Sequence, residues 1–200
     1  QATPKDAPNR FVINVQPEQS DAFVKKLRAS GVRRLDWFPM FRGRLVAVNG
    51  KAVTPDDFVD DRARRLVDRE FNLSFAASQP EHNEVVAGRW QPEERGTVSV
   101  EEGIATTLGL KLGDTLRFDV AGMTSEARIT SLRKVDWGSM RANFFVMYPV
   151  SVLPDMPVTY MGAFRAPEVR GFDNALVRAF PNVTNVDMTT TLNQVQAVLD

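Results

Sequence analysis

The acidic residues of this chain fall in neighbouring pairs, which raises the question of whether any pair could do chemistry. Glu101 and Glu102 stand together in "VSVEEGIATTLGLKLGDTLRFDV" (98–120), Asp56 with Asp57 in "TPDDF", and Asp60 with Asp61 just after. Two carboxylates can divide acid and base roles when they flank a substrate from separate positions. Adjacent residues at a helix start instead point apart and favour the positive end of the helix dipole. Ser99 and Glu102 have the spacing of a capping box, Gly109 suits a helix stop, and Asp114 follows a glycine in a turn. Each acid is expected to hold structure rather than substrate.

Other chemistry is equally sparse. There is no cysteine, which removes disulfides and thiol catalysis, and one histidine, His82, in the polar stretch "SQPEHNE". Ser139 follows a glycine in "DWGSMRANFF" but lacks the second glycine of a nucleophile elbow. An esterase reading would need Ser139, or another serine, with His82. No phosphate-binding loop, dinucleotide fingerprint or zinc-protease motif occurs. No catalytic residue, metal or cofactor is therefore expected, and the chain is read as not an enzyme. Twenty-five basic residues balance twenty-five acidic ones, so no net field favours nucleic acid. No tract is apolar for the ~20 residues a membrane helix needs, and the loose opening "QATPKDAPNR" is expected to be a trimmed end.

The elements that would position any site follow from periodicity. "RFVINV" (10–15) alternates as a strand. Pro17 and Glu18 open a helix with Phe23 and Leu27 on one face, and Gly31 ends it. "RRLDWFPMF" reads as a second strand with Leu35 and Trp37 in phase, Pro39 marking an edge or a break. In "RLVAVNGKAV", Asn49-Gly50 supplies a hairpin turn. A helix is expected from Thr54 onward, with Asp60–Arg64 and Asp61–Arg65 paired at i,i+4. "TLRFDV" and "SEARITSLRKV" form a hairpin about Ala121-Gly122, and "NFFVMYPV" (143–150) reads as a strand covered on both sides. "VTYMGAFRA", a helix bearing Phe172, Leu176 and Phe180, and "VTNVDM" echo the first βαβ. Thr191 caps a last amphipathic helix, "LNQVQAVLD".

Two βαβ units of like length build one α/β layer of the split type. The expected class is α+β, with residues 1–55 and 157–200 forming the two halves of one lobe. A connecting helix and linker (56–83) and an inserted β-rich lobe (84–156) come between them. The two chain ends should then lie close together. Trp37, Phe38, Phe41 and Arg44 cluster in one loop region; Trp137, Met140 and Arg141 cluster in another, beside Arg133 and Lys134. Aromatics with arginine are the composition of contact surfaces, although the same rings can simply finish a core.

Several strings carry a resemblance to a known family. "REFNLSF" (69–75), "VAGRW" (86–90), "VSVEEGIATTLGLKLGDTLRFDVAG" (98–122), "RITSLRKVDWGSMRANFFVMYP" (128–149) and "FPNVTNVDM" (180–188) resemble a periplasmic region of YbbP-type ABC transporter permeases, within the FtsX/MacB/LolC superfamily. The resemblance implies a periplasmic domain between two membrane helices, built from a porter-like α/β lobe and an inserted sabre-like lobe. It implies a location on the periplasmic side of the bacterial inner membrane and partnership with the membrane helices of the same permease. It further implies a separate cytoplasmic ATP-binding subunit and mechanotransmission from ATP-driven helix movement. A periplasmic esterase or lysophospholipase and a hydrophobic, lipid-like cargo are the neighbours it suggests; it brings no catalytic residue. The alternative is a free periplasmic lipid-binding or enzyme-accessory protein.

Overall fold

The structure, a computed structural model, describes residues 7–189. The elements run β1 (Arg10–Val15), α1 (Pro17–Ala29), β2 (Leu35–Val48), β3 (Lys51–Ala52), α2 (Asp61–Asp68), β4 (Phe71–Phe75), β5 (Asn83–Gly88) and β6 (Thr97–Glu101). They continue with α3 (Glu102–Leu108), β7 (Thr115–Val120), β8 (Met123–Val135), β9 (Val146–Tyr148), β10 (Thr159–Phe164), α4 (Phe172–Ala179) and β11 (Thr184–Asp187). The expected helix at 191–200 lies outside the described residues. The described chain divides into two compact units, one of residues 7–39, 137–142 and 158–189, the other of 40–136 and 143–157.

In the first unit the strands lie in the order β11-β1-β10-β2, with β1 antiparallel to both β10 and β11. Each βαβ is thus split by a strand of the other, the interleaving expected for two such units. Phe23 and Leu27 of α1 and Leu176 of α4 pack with Val12, Val15, Phe164 and Val183, while Trp37, Tyr160, Phe172 and Phe180 close around them. Phe23 stacks on Trp37, and Trp37 stacks in turn on Tyr160, with ring centroids 5.4 and 5.9 Å apart. Glycine is required at 162, because a β-carbon there would overlap the Asp36 carbonyl and the Trp37 ring.

The second unit contains a closed six-stranded barrel. β2 pairs with β4, β4 with β9, β9 with β6, β6 with β8, β8 with β7, and β7 returns to β2. Two of these pairings, β4–β9 and β6–β8, are parallel. Closure leaves no free edge within the ring, and the added strand β5 runs beside the second half of β8. Strands β2 and β4 supply two staves from upstream of residue 84.

Several local readings change. "RRLDWFPMF" and "RLVAVNGKAV" belong to one 14-residue strand that runs through Pro39 rather than breaking there. The expected long helix after Thr54 is a single 3-10 turn (Pro55–Asp57) followed by the separate helix α2. Asp60 caps that helix by accepting from the Ala63 amide, so it is not the i,i+4 partner of Arg64; Arg64 instead reaches Asp56 at 3.8 Å. The capping box is also displaced. Glu101, not Ser99, caps α3, its carboxylate accepting from the Gly103 and Ile104 amides at 2.7 Å each. "NFFVMYPV" contributes only three residues of strand, Val146–Tyr148, because Asn143 accepts from the Asn83 side chain and the carbonyls of Phe144 and Phe145 accept from Arg133.

Candidate functional site

Three arrangements could bear function, and each is built by particular elements. The first belongs to the α/β unit. Residues 137–139 form a 3-10 turn, and Arg141 extends from it to grip Asp36 near the start of β2. The Arg141 guanidinium donates to both Asp36 oxygens at 2.8–3.1 Å, and the Ala142 amide donates to Asp36 Oδ2 at 2.9 Å. A bidentate arginine–carboxylate pair fixes orientation as well as distance. Met140 adopts a positive φ of 65°, which a non-glycine residue holds only when its surroundings impose it. Trp137 and Met140 are thereby presented, half-buried, on an anchored segment.

The structure places five of the seven proposed contact residues, Trp37, Phe38, Trp137, Met140 and Arg141, in this unit. Trp37 is largely a core ring: its indole donates to the Ser20 hydroxyl at 3.0 Å and its faces are taken by Phe23 and Tyr160. Phe41 and Arg44 belong to the barrel unit. Phe41 is buried against Phe75 and Tyr148, whereas Arg44 is an exposed strand residue opposite Asp119.

The second arrangement is Arg133, which the sequence places in the strand "SEARITSLRKV" and groups by composition with the candidate contact residues. It is fully buried in the barrel unit. Its guanidinium donates to the Ser99 hydroxyl, the Asn83 side-chain oxygen, and the carbonyls of Ser99, Phe144 and Phe145 at 2.7–3.3 Å. Burial pulls its pKa down to about 10, with the Glu101 charge acting the other way. A buried cation held by five oxygens of neutral groups is a clamp on segment 143–145, not a site aimed at solvent. Counting by twos along β8 from Ala127 would have found it, since Ala127, Ile129, Ser131 and Arg133 share the buried phase.

The third is a pocket of about 140 Å³ in the barrel unit, lined by Arg95, Thr97, Tyr148, Val150, Val152 and Leu153 among others. A cavity of that size holds a benzene-sized group, which is too little for an acyl chain. The Tyr148 hydroxyl is buried and finds no hydrogen-bond partner among the described residues. Burial pushes its phenol up to about 12, with the Ser125 side chain acting the other way.

Among the described residues, no cluster of three or more His, Cys, Asp or Glu could hold a metal. No described helix is long and apolar enough to cross a membrane. Comparison with known proteins supplies what the geometry alone lacks. The chain is 36% identical over 195 residues to the uncharacterized ABC transporter permease YbbP of Escherichia coli strain K12. It is homologous to a segment of an ABC permease. The match takes in 98% of this chain and 23% of that protein. A solved domain of a putative permease protein from Porphyromonas gingivalis aligns over 96% of this chain and 98% of its own, with 13% identity and a TM-score of 0.46. No family model matches the chain.

Proposed function

We propose that this chain is a non-catalytic, extracytoplasmic domain of an ABC transporter permease, coupling ATP-driven movement of membrane helices to a periplasmic partner or an apolar cargo. The homology to YbbP is the observation that carries this reading. The position of the two ends of the described stretch supports it. Met188 donates to the Asn9 carbonyl at 2.9 Å, and Arg10 stands opposite Asp187 in the β1–β11 pair. A domain inserted between two membrane helices needs its ends side by side. The α/β unit takes the part of a porter-like lobe and the barrel unit that of a sabre-like lobe. A separate cytoplasmic subunit supplies ATP hydrolysis. Trp137, Met140 and Arg141 are the favoured partner contacts, because the Asp36 anchor holds them in one arrangement before any partner arrives.

The test uses the absence of cysteine from this sequence. With Met123→Cys, at the exposed hairpin tip, placed in a cysteine-free full-length protein, a membrane-impermeant maleimide applied to cells with permeabilised outer membranes should label the thiol. Labelling only after the inner membrane is broken would sink the extracytoplasmic assignment.

A further inference from the structure

The balanced charge of the sequence conceals an uneven distribution. Between residues 7 and 189 the α/β unit carries ten Lys or Arg against six Asp or Glu, and the barrel unit fourteen against seventeen. Within the α/β unit the excess is again local. Strand β1 starts, and β11 and β10 end, at the same edge of the layer: Arg10 stands opposite both Asp187 and Phe164. Helix α1 runs back from the far edge, so its last turn and the loop into β2 return to this edge. The loop after β10 lies there too, since a β-carbon on Gly31 would meet Pro167 at 4.0 Å.

The last turn of α1 and the loops at this edge bring together Arg28, Arg33 and Arg34 with Arg165 and Arg170; Arg28 donates to the carbonyls of Val32 and Arg33, and Arg165 to that of Ala7. All five are exposed, and Arg28, Arg33, Arg34 and Arg170 form no ion pair among the described residues. The acids at this edge are largely engaged. Asp36 is held by Arg141, and Asp173 and Asp187 by Arg10, which leaves Glu168. Val169 lies between Glu168 and Arg170 and is 60% exposed, an apolar tip framed by charges. The opposite edge has no such excess of cations: Asn14, Gln16, Gln19 and Asn182 bond one another there, and Glu18 and Asp21 of α1 offset Arg178 of α4.

We infer that this edge is a docking surface for an anionic phospholipid bilayer. The cations face the headgroups and Val169 enters the interface. Arginines around an exposed apolar side chain match a surface that is anionic outside and apolar beneath. The orientation rests on the proposed permease reading, for Asn9 and Met188, near the two ends of the described stretch, meet at this same edge, and on that reading the membrane helices join the domain there. An acidic protein would satisfy the arginines but gives no reason for Val169 to be exposed among them.

The experiment is partition of the 200-residue chain onto vesicles of phosphatidylcholine with about one-third phosphatidylglycerol, compared with phosphatidylcholine alone. Binding should be confined to the anionic vesicles and stronger at about 20 mM salt than at about 0.5 M, where charges are screened within a few ångströms. Arg33→Gln, Arg34→Gln and Arg170→Gln together should weaken it about tenfold or more. Val169→Asp should weaken it on its own, and Arg178→Gln near the far end of α4 should not. All are exposed positions, so unchanged urea midpoints will show that folding is not the cause. Equal binding to both vesicles, or no loss in the triple variant, would overturn the inference. So would binding to poly-glutamate without binding to anionic vesicles, which would assign the patch to an acidic protein. Failure of the permease reading is seen separately: vesicle binding by a chain whose gene encodes no membrane spans would keep this surface and discard the transporter.

Discussion

Arg10 joins three elements through two carboxylates: it donates to both oxygens of Asp173 on α4 at 2.8–2.9 Å and to Asp187 at the end of β11 at 3.0 Å. The adjoining Asn9–Met188 bond makes this the clasp through which both ends of the described chain enter the α/β unit.

Arg10→Met should therefore lower stability by about 1–2 kcal/mol, the upper figures for charged hydrogen bonds being reduced by the partial exposure of Asp173 and Asp187. A urea titration measures it. The bond from Arg10 holds the Asp173 carboxyl below its ordinary value of 3.8, and bonds from Thr189 do the same for Asp187. Because folding depresses these pKa values, the stabilisation is complete above the unfolded value and is lost as pH falls through the folded ones. The difference between wild type and Arg10→Met should shrink as the medium is acidified below about pH 4. A difference independent of pH would deny the clasp its charge.

Arg133→Ala should cost at least about 3 kcal/mol, since it strands several buried acceptors whose loss of a partner costs about 1–3 kcal/mol each before relaxation. Arg133→Lys should recover only part of this, as three donors on one nitrogen cannot reach oxygens arranged around a planar fork. Equal stability of the lysine variant and wild type would show that the charge matters and the geometry does not.

Much of the fold was legible from periodicity and turn chemistry. The interleaved βαβ pair, the Asn49-Gly50 and Ala121-Gly122 turns and the Gly109 stop all stand in the structure, with positive φ at each of those turn residues and at Gly109. The barrel was not legible, because its closure depends on β7 pairing with both β2 and β8, and non-local pairings leave no mark in a local pattern. Pro39 misled the reading of β2: a strand break and a passage between compact units look alike in sequence, and here the strand continues. The spacing of Ser99 to Glu102 fits a cap, but Glu101, adjacent to the helix, reaches two amides with its longer side chain and takes the position. Asp36 and Arg141, which anchor the contact segment, are 105 residues apart and nothing links them before folding.

Gly162→Ala should destabilise by about 1–3 kcal/mol or more, because the added methyl overlaps backbone at Asp36 as well as the Trp37 ring, and backbone cannot move aside as a side chain can. Thermal melting tests this. If the variant melts with wild type, β10 does not pack against the start of β2 as described.

Tyr148→Phe should be neutral or slightly stabilising, because it removes a buried hydroxyl that has no partner. In a Tyr160→Phe background, Tyr148 is the one remaining tyrosine, and its phenolate absorbance should rise near pH 12 rather than near 10. Since folding raises this pKa, the stabilisation is present below pH 10 and is lost as pH climbs toward 12. Ionisation near pH 10 in the folded protein would place the hydroxyl in water.

The central claim, a domain carried by a membrane permease, is tested most directly by determining the coding sequence on both sides of Gln1 and Asp200 and measuring its hydropathy. The account predicts an apolar span of about 20 residues closely preceding one end and another following the other. A secretion signal upstream with a stop codon directly after Asp200 would contradict it.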